Sequence, residues 1–286
     1  MPFITVGAEN SAPIDLYYED HGSGQPVVLI HGFPLSNRAW EKQVPELLHA
    51  GYRTIAYDRR GFGNSSQPAT GYDYDTFAAD LDAILRELDL RDTILIGHSM
   101  GTGEITRYLG NYGSARVSKV VLISPIPPFL MQTDDNPQGV PKQVFEGFQD
   151  AIRKDRFAYQ TSFMNDFFNY DQNKGKSVSE EAYHANWDLA VIASPIGTEK
   201  CVDAWLTDFR GDLPRIDVPA LLIQGDQDRV LPYPVTGERL QPLLPQSTLH
   251  TIAGGPHAIP WTHSDEVNRA ILDFVGQGAP VYSRAW

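Results

Sequence analysis

The sequence is poor in the features that mark secreted, membrane and nucleic-acid-binding proteins. Its 286 residues include one cysteine, Cys201, which excludes an internal disulfide. No apolar run approaches the ~18 residues that a membrane-spanning helix requires, and there is no block of basic residues. Residues 1–3 show neither the basic nor the apolar region of a secretory signal peptide. These absences predict a cytoplasmic protein.

The charge is strongly negative. A formal net charge of −13 is spread along the chain, which argues against nucleic acid and membranes as partners. Hydrophobic residues make up 42% and charged residues 21%, as in ordinary globular proteins. The length suits one α/β domain with an insertion.

Eight short runs rich in β-branched and aromatic residues predict strands. Several are apolar on both faces, the pattern of strands buried between two helical layers in a mostly parallel sheet. The first two runs favour an antiparallel hairpin at the edge. The runs cover residues 3–6, 14–18, 26–30, 53–57, 93–96, 119–124, 220–223 and 248–252.

Helical periodicity alternates with these runs over residues 26–112 and 220–275. One predicted helix buries apolar residues at spacings of three and four. Its buried positions are Phe77, Leu81, Ile84, Leu85 and Leu88. A second, beginning near Thr262 or Ser264, buries Val267, Ile271, Phe274 and Val275.

The alternation of predicted strands and helices stops over residues 128–213. This predicts a helical cap inserted into a core formed by residues 1–127 and 214–275. Residues 276–286 form a short tail. Because the insertion follows a strand, it could cover the carboxyl edge of the sheet, where open α/β folds bind ligands. We expect most of its aromatic residues to fill its own core. They are Phe145, Phe148, Phe157, Tyr159, Phe163, Phe167, Phe168, Tyr170, Tyr183, Trp187 and Trp205.

The segment 97–101, Gly-His-Ser-Met-Gly, directly follows the apolar run 93–96. Glycines two residues before and after a serine relieve crowding at a sharp strand-to-helix turn, which exposes the hydroxyl above the sheet. This context predicts Ser99 as a nucleophile.

A serine nucleophile needs a base, and the base needs an orienting acid. In the order serine, acid, histidine, the candidates are Asp228 and His257, each in a loop after a predicted strand. Asp226 is a rival acid. We favour Asp228, which lies further past the strand, and interpret Asp226 as a turn-forming residue.

Two backbone N–H groups must hold the oxyanion that forms on attack. Met100, the residue after the nucleophile, supplies one. The other is expected from the loop after residues 26–30, where Phe33 is the candidate. Pro34 has no N–H and cannot donate.

Four ordered segments, 31–34, 58–65, 97–101 and the Asp228/His257 pair, resemble the α/β-hydrolase superfamily over residues 20–275. Segments 14–24 and 71–81 are most similar to its cofactor-free haloperoxidases, or perhydrolases, a group that includes arylesterases and γ-lactamases. The expected fold is therefore an α/β-hydrolase fold, with a mostly parallel eight-stranded sheet between helices and a helical cap.

The resemblance implies a serine enzyme that hydrolyses small carboxylic or aryl esters without haem, metal or other cofactor. Hydrogen peroxide in place of water would yield a peracid, which would oxidise halides. Pro34 matches the members with perhydrolase activity. Many close relatives have Phe where this chain has His98, which we interpret as a buried side chain under the turn.

The histidine at position 98 slightly weakens the main alternative function, a γ-lactamase or other amide or lactone hydrolase. An alternative of another class is a non-catalytic ligand-binding protein with this fold. The resemblance also allows a homo-oligomer.

The substrate pocket is expected to be apolar. Its candidate residues follow the predicted strand ends or lie in the insertion. They are Phe33, Met100, Ile126, Phe129, Trp205, Val230, Leu231 and Ile259.

Overall fold

A computed structural model describes residues 2–276. An eight-stranded sheet with the order β1-β2-β4-β3-β5-β6-β7-β8 forms its centre. The strand β1 pairs antiparallel with β2, and β2 pairs antiparallel with β4, whereas all other neighbours are parallel. The predicted edge hairpin and the mostly parallel sheet are confirmed. The strands are β1 (Phe3–Glu9), β2 (Ala12–His21), β3 (Pro26–Ile30), β4 (Arg53–Tyr57), β5 (Thr93–His98), β6 (Val117–Ile123), β7 (Ala220–Gly225) and β8 (Ser247–Ile252).

Helices follow most of the strands. The helix predicted from residues 77–88 is α2, and the one predicted after Thr262 is α10. Leu88 and Phe274, expected to be buried, are half-buried at the ends of these two helices. The helices are α1 (Val44–His49), α2 (Tyr74–Glu87), α3 (Met100–Tyr112), α4 (Lys142–Phe168), α5 (Tyr170–Asn173), α6 (Glu180–Val191), α7 (Pro195–Ala204), α8 (Gly237–Leu240), α9 (Ile259–Thr262) and α10 (Ser264–Gly276).

Strand residues alternate between two apolar cores, which explains why the central strands have no polar face. In β3, Val28 and Ile30 pack with α2 and α3 on one face of the sheet. Val27 and Leu29 pack with α1 and α10 on the other. A strand covered on both faces must be apolar throughout, as the sequence indicated.

The chain between β6 and β7 contributes four helices, α4 to α7. They pack on the core through a shared cluster that joins Phe33 and Met100 to Phe145, Tyr159 and Trp205. The helical insertion therefore lies over the carboxyl ends of the strands. Its treatment as a cap domain bounded by residues 128 and 213 stays a prediction.

Helix α4 is interrupted once along its length. Asp155 has non-helical backbone angles, φ −160° and ψ 94°, and its Oδ1 accepts a hydrogen bond of 3.0 Å from the Ala158 N–H. Asp155 thus caps the second half of the helix.

In the part of the chain that is described, no helix is long and apolar enough to cross a membrane. Residues 277–286, most of the predicted tail, lie outside the described residues.

Candidate active site

Ser99 lies at the sharp turn between β5 and α3. Its backbone has φ 54° and ψ −117°, a strained combination for a residue with a side chain. The two flanking glycines make this turn possible because a Cβ at Gly97 would lie 2.7 Å from the backbone of Gly101, and one at Gly101 would lie 2.2 Å from the Ile30 carbonyl oxygen. Ser99 lines a cavity at the carboxyl edge of the sheet.

His257 and Asp228 form a fully buried pair. The ring Nδ1 of His257 lies 2.7 Å from Oδ2 of Asp228. The other carboxylate oxygen, Oδ1, accepts the N–H groups of Val230 at 2.9 Å and Leu231 at 2.8 Å. With the carboxylate fixed by its own loop, it can hold His257 in the tautomer that carries its proton on Nδ1.

The second ring nitrogen of His257 is available for proton transfer. Nε2 is buried and has no hydrogen-bond partner among residues 2–276. The Ser99 hydroxyl and His257 are therefore not hydrogen-bonded in this structure. Such bonds are often long in unliganded enzymes and shorten when substrate binds.

Asp226, the rival acid, contacts the backbone of a loop. Its Oδ1 accepts the backbone N–H of Gly254 at 2.7 Å, which ties the turn after β7 to the loop before His257. The geometry thus gives Asp228 the contact with the histidine and Asp226 the turn-forming contact.

Phe33 and Met100 follow the adjacent parallel strands β3 and β5, at the same edge of the sheet. Met100 opens α3, so its N–H has no acceptor within the helix. Among the described residues, the N–H of Phe33 also has no acceptor. Both groups are therefore able to donate to an oxyanion.

A buried network supports the loop that carries Phe33. The backbone N–H of Arg59 donates to Nε2 of His31 at 3.0 Å, which places the His31 proton on Nδ1, where it donates to the Gly32 carbonyl at 2.8 Å. Burial lowers the pKa of His31 well below its ordinary value. The Arg59 guanidinium donates to Glu104 at 2.7 Å, and Glu104 also accepts a short hydrogen bond from Tyr57.

Sequence reasoning missed Arg59 and Glu104 as parts of the site. Arg59 lies in segment 58–65, one of the four segments that carry the family resemblance. Glu104 is a charged residue on the buried face of α3. A carboxylate at a core position is the signal that could have indicated a buried partner of opposite charge.

The cavity above Ser99 has a volume of about 640 Å³. Its inner wall is apolar, and its mouth carries four charged residues. The inner wall contains Phe33, Ile126, Leu130, Val140, Phe145, Tyr159, Phe163, Trp205 and Leu231, and the charged residues are Lys154, Asp155, Asp166 and Arg229.

Most of the predicted pocket residues line this cavity, namely Phe33, Ile126, Trp205, Val230 and Leu231. The prediction is wrong for Phe129 and Ile259, which do not line the cavity. The Met100 side chain does not line it either and packs in the cluster that contains Phe33 and Trp205. The guanidinium of Arg210 covers the Phe129 ring, 5.0 Å from its centroid. Ile259 belongs to the core on the far face of the sheet, with Val267.

Helix α4 supplies the part of the wall that sequence reasoning did not assign. Besides Phe145, Tyr159 and Phe163, the cavity is lined by Val144 and Phe148. Phe145, Phe148, Tyr159 and Phe163 are among the aromatic residues of the insertion that were expected mostly to fill its own core, whereas the sequence analysis did not single out Val144. The sequence showed that the insertion is rich in aromatic residues, but it did not indicate which of them face the cavity.

Three comparisons place this geometry among known proteins. A family model for the alpha/beta hydrolase fold matches residues 25–264. A Synechocystis protein named as a candidate non-heme chloroperoxidase is 60% identical, over 96% of this chain and 100% of its own length. A bifunctional esterase/perhydrolase of Acinetobacter calcoaceticus is 34% identical, over 92% of this chain and 96% of its own. The crystal structure of a bromoperoxidase from Bacillus anthracis has a TM-score of 0.92 and 46% identity, over 96% of this chain and 99% of that one.

Proposed function

The chain belongs to the alpha/beta hydrolase family, and on that premise we propose that it is a serine hydrolase of carboxylic esters that also catalyses perhydrolysis. One observation carries the proposal. Ser99 opens into an apolar cavity from a strained turn, and at the same sheet edge a buried imidazole is held by Asp228 with its other nitrogen unpaired among the described residues.

In acylation, Ser99 Oγ attacks the ester carbonyl carbon while His257 Nε2 accepts the hydroxyl proton. The N–H groups of Phe33 and Met100 hold the negative oxygen of the tetrahedral intermediate. Asp228 stabilises the imidazolium through Nδ1. When the carbon–oxygen bond to the alcohol breaks, His257 returns the proton to the leaving oxygen, and an ester of Ser99 remains.

In deacylation, water attacks the acyl-enzyme, His257 takes its proton and passes it back to Ser99, and the acid leaves. If hydrogen peroxide attacks instead, the same proton transfers release a peracid. The peracid then oxidises a halide ion: the O–O bond breaks, its terminal OH is transferred to the halide to give hypohalous acid, and the carboxylate is left. No step of this sequence uses a group other than the named residues and the substrates.

The lining of the cavity supports a substrate class. Because its inner wall is apolar, the acyl or alcohol part that it receives is aliphatic or aryl. The cytoplasmic location, the absence of nucleic-acid and membrane partners, and a homo-oligomeric state stay predictions.

Ser99→Ala tests the proposal. We expect turnover of p-nitrophenyl acetate per folded enzyme to fall about 10³-fold, while the melting temperature stays near that of the parent. In the parent, acetate and hydrogen peroxide should yield peracid, and both activities should disappear together in the variant.

Two results would overturn the assignment. Near-parental turnover in Ser99→Ala would exclude Ser99 as the nucleophile. Release of p-nitrophenol that stops at one equivalent in the parent would instead indicate a ligand-binding protein. A parallel panel of γ-lactams and lactones decides between ester and amide hydrolysis.

A further inference from the structure

The residue before the nucleophile makes a direct hydrogen bond to the backbone of the base. Nε2 of His98 lies 3.0 Å from the carbonyl oxygen of His257. A carbonyl oxygen only accepts, so the His98 ring carries its proton on Nε2 and donates it. The two residues are 159 positions apart in the chain, and this contact joins them below the site.

His98 stays neutral under ordinary conditions. Burial, together with the nearby His257, lowers the pKa of His98 to about 3. Because the ring is uncharged at neutral pH, it carries a single N–H, and the His257 carbonyl oxygen is always its acceptor. A charged ring 4.9 Å from His257, measured between ring centroids, would oppose the imidazolium that forms in acylation.

Few other bonds hold the His257 backbone. Ser124 Oγ is the second donor to the same carbonyl, at a long 3.5 Å. The next N–H, of Ala258, donates to the Phe167 carbonyl at 2.9 Å and so ties the loop to α4. Without the His98 bond, the carbonyl would keep, among the residues that the structure describes, only the long Ser124 contact.

The shape of the site does not explain why this side chain is a histidine. The His98 ring packs edge-on against Trp40 and Phe167, with centroid distances of 6.5 and 5.9 Å. A phenylalanine would fill a similar volume and keep both ring contacts. What it could not supply is the N–H.

We propose that His98 is a positioning residue. Its Nε2–H fixes the His257 peptide and thereby holds the His257 imidazole at the distance and angle from Ser99 Oγ that proton transfer requires. The inference rests on the proposed hydrolase function. His98 is bonded covalently to Ser99. The turn between β5 and α3 therefore positions the nucleophile and also anchors the loop that carries His257. A displacement of the base by a fraction of an ångström is enough to slow proton transfer.

Three substitutions separate the hydrogen bond from packing. His98→Phe keeps the ring and loses the donor. His98→Gln places an amide N–H at about the reach of ring Nε2, whereas His98→Asn places it only at the reach of Nδ1. We expect kcat to fall about tenfold in the Phe and Asn variants and to recover largely in the Gln variant, with KM changed less than twofold in all three.

The assay measures kcat with p-nitrophenyl butyrate per active site titrated with a fluorophosphonate, so unfolded protein does not count. A purely structural role would lower the melting temperature and the titrated fraction, but not kcat per site. If His98→Phe fails to fold, the Gln and Asn variants decide. A kcat within twofold of the parent in both Phe and Asn, or an equal loss in Gln and Asn, would overturn the inference. Ser99→Ala has no nucleophile to titrate, so its turnover is measured per mole of folded protein, and it shows separately whether the hydrolase assignment itself fails.

Discussion

Arg59 contacts His31 twice. Its backbone N–H donates to the imidazole Nε2, and its guanidinium Nη2 donates to the His31 carbonyl oxygen, each at 3.0 Å. The same guanidinium pairs with Glu104 at 2.7 Å, and both side chains are almost completely buried. Because His31 begins the loop that leads to Phe33, a buried ion pair supports one of the two proposed oxyanion donors.

Glu104→Gln should therefore destabilise the protein strongly. The variant keeps the size of the side chain but leaves the Arg59 charge buried without its counter-ion, which typically costs about 3 kcal/mol or more. Urea unfolding measures the loss. Arg86→Ala is the control, because the Arg86 side chain that pairs with Asp82 is 64% exposed, and loss of this solvent-accessible pair should cost less than about 1 kcal/mol. Similar losses in both variants would contradict the structural role of the buried pair.

We expect Asp58 to make the free energy of unfolding depend on pH. Burial raises its pKa from 3.8 to about 6, although its oxygens accept the N–H groups of Asn37 at 2.7 Å and Asn64 at 2.8 Å. Between pH 3.8 and 6 the folded state binds more protons than the unfolded state, so the contribution of Asp58 to stability is present at low pH and is lost as the pH rises through 6.

The test compares the parent with Asp58→Asn, which is neutral at every pH. From pH ~4.5 to ~7.5, the free energy of unfolding of the parent should fall by about 2 kcal/mol relative to the variant. Urea unfolding at both pH values gives the difference. If the gap between parent and variant does not change with pH, the Asp58 carboxyl has its ordinary pKa.

Asp228→Asn should lower kcat about 10³- to 10⁴-fold. An amide nitrogen facing Nδ1 favours the wrong tautomer of His257, which puts the ring proton on Nε2, where the base must accept one. Asp226→Asn is the matched control from the same loop. Within residues 2–276, the Asp226 carboxylate accepts one hydrogen bond, from the backbone N–H of Gly254, so kcat of Asp226→Asn should stay within about threefold of the parent. A larger loss in Asp226→Asn than in Asp228→Asn would reverse the assignment of the acid.

The sheet and the site were predictable from the sequence for a physical reason. Buried parallel strands are apolar on both faces, and β3 and β4 have the bounds that their apolar runs predicted. Ser99, Asp228 and His257 follow such strands, and parallel strands end at one edge. Phe129 and Ile259 were misplaced because an apolar residue in a loop can turn to either face of the sheet. The Arg59–Glu104 pair joins residues 45 positions apart, and no local pattern specifies it.

The local sequence pattern also could not predict which residues of α4 form the cavity wall, because this depends on how the helix lies over the sheet. Residues at helical spacing along it, among them Ala151, Ala158 and Ser162, line the cavity. We expect these small side chains to leave room for the substrate. Their size can therefore be changed to test whether esters enter there.

Ala158→Phe should narrow the cavity and select against long esters. We expect kcat/KM for p-nitrophenyl hexanoate to fall about tenfold and that for p-nitrophenyl acetate to fall far less, since only the longer acyl chain needs the space near α4. Gly147→Phe is the control on the same helix, because Gly147 does not line the cavity and a Cβ there meets nothing within 4 Å. The ratio of the two kcat/KM values should stay parental in the control. An unchanged ratio in Ala158→Phe would mean that the acyl chain binds outside this cavity.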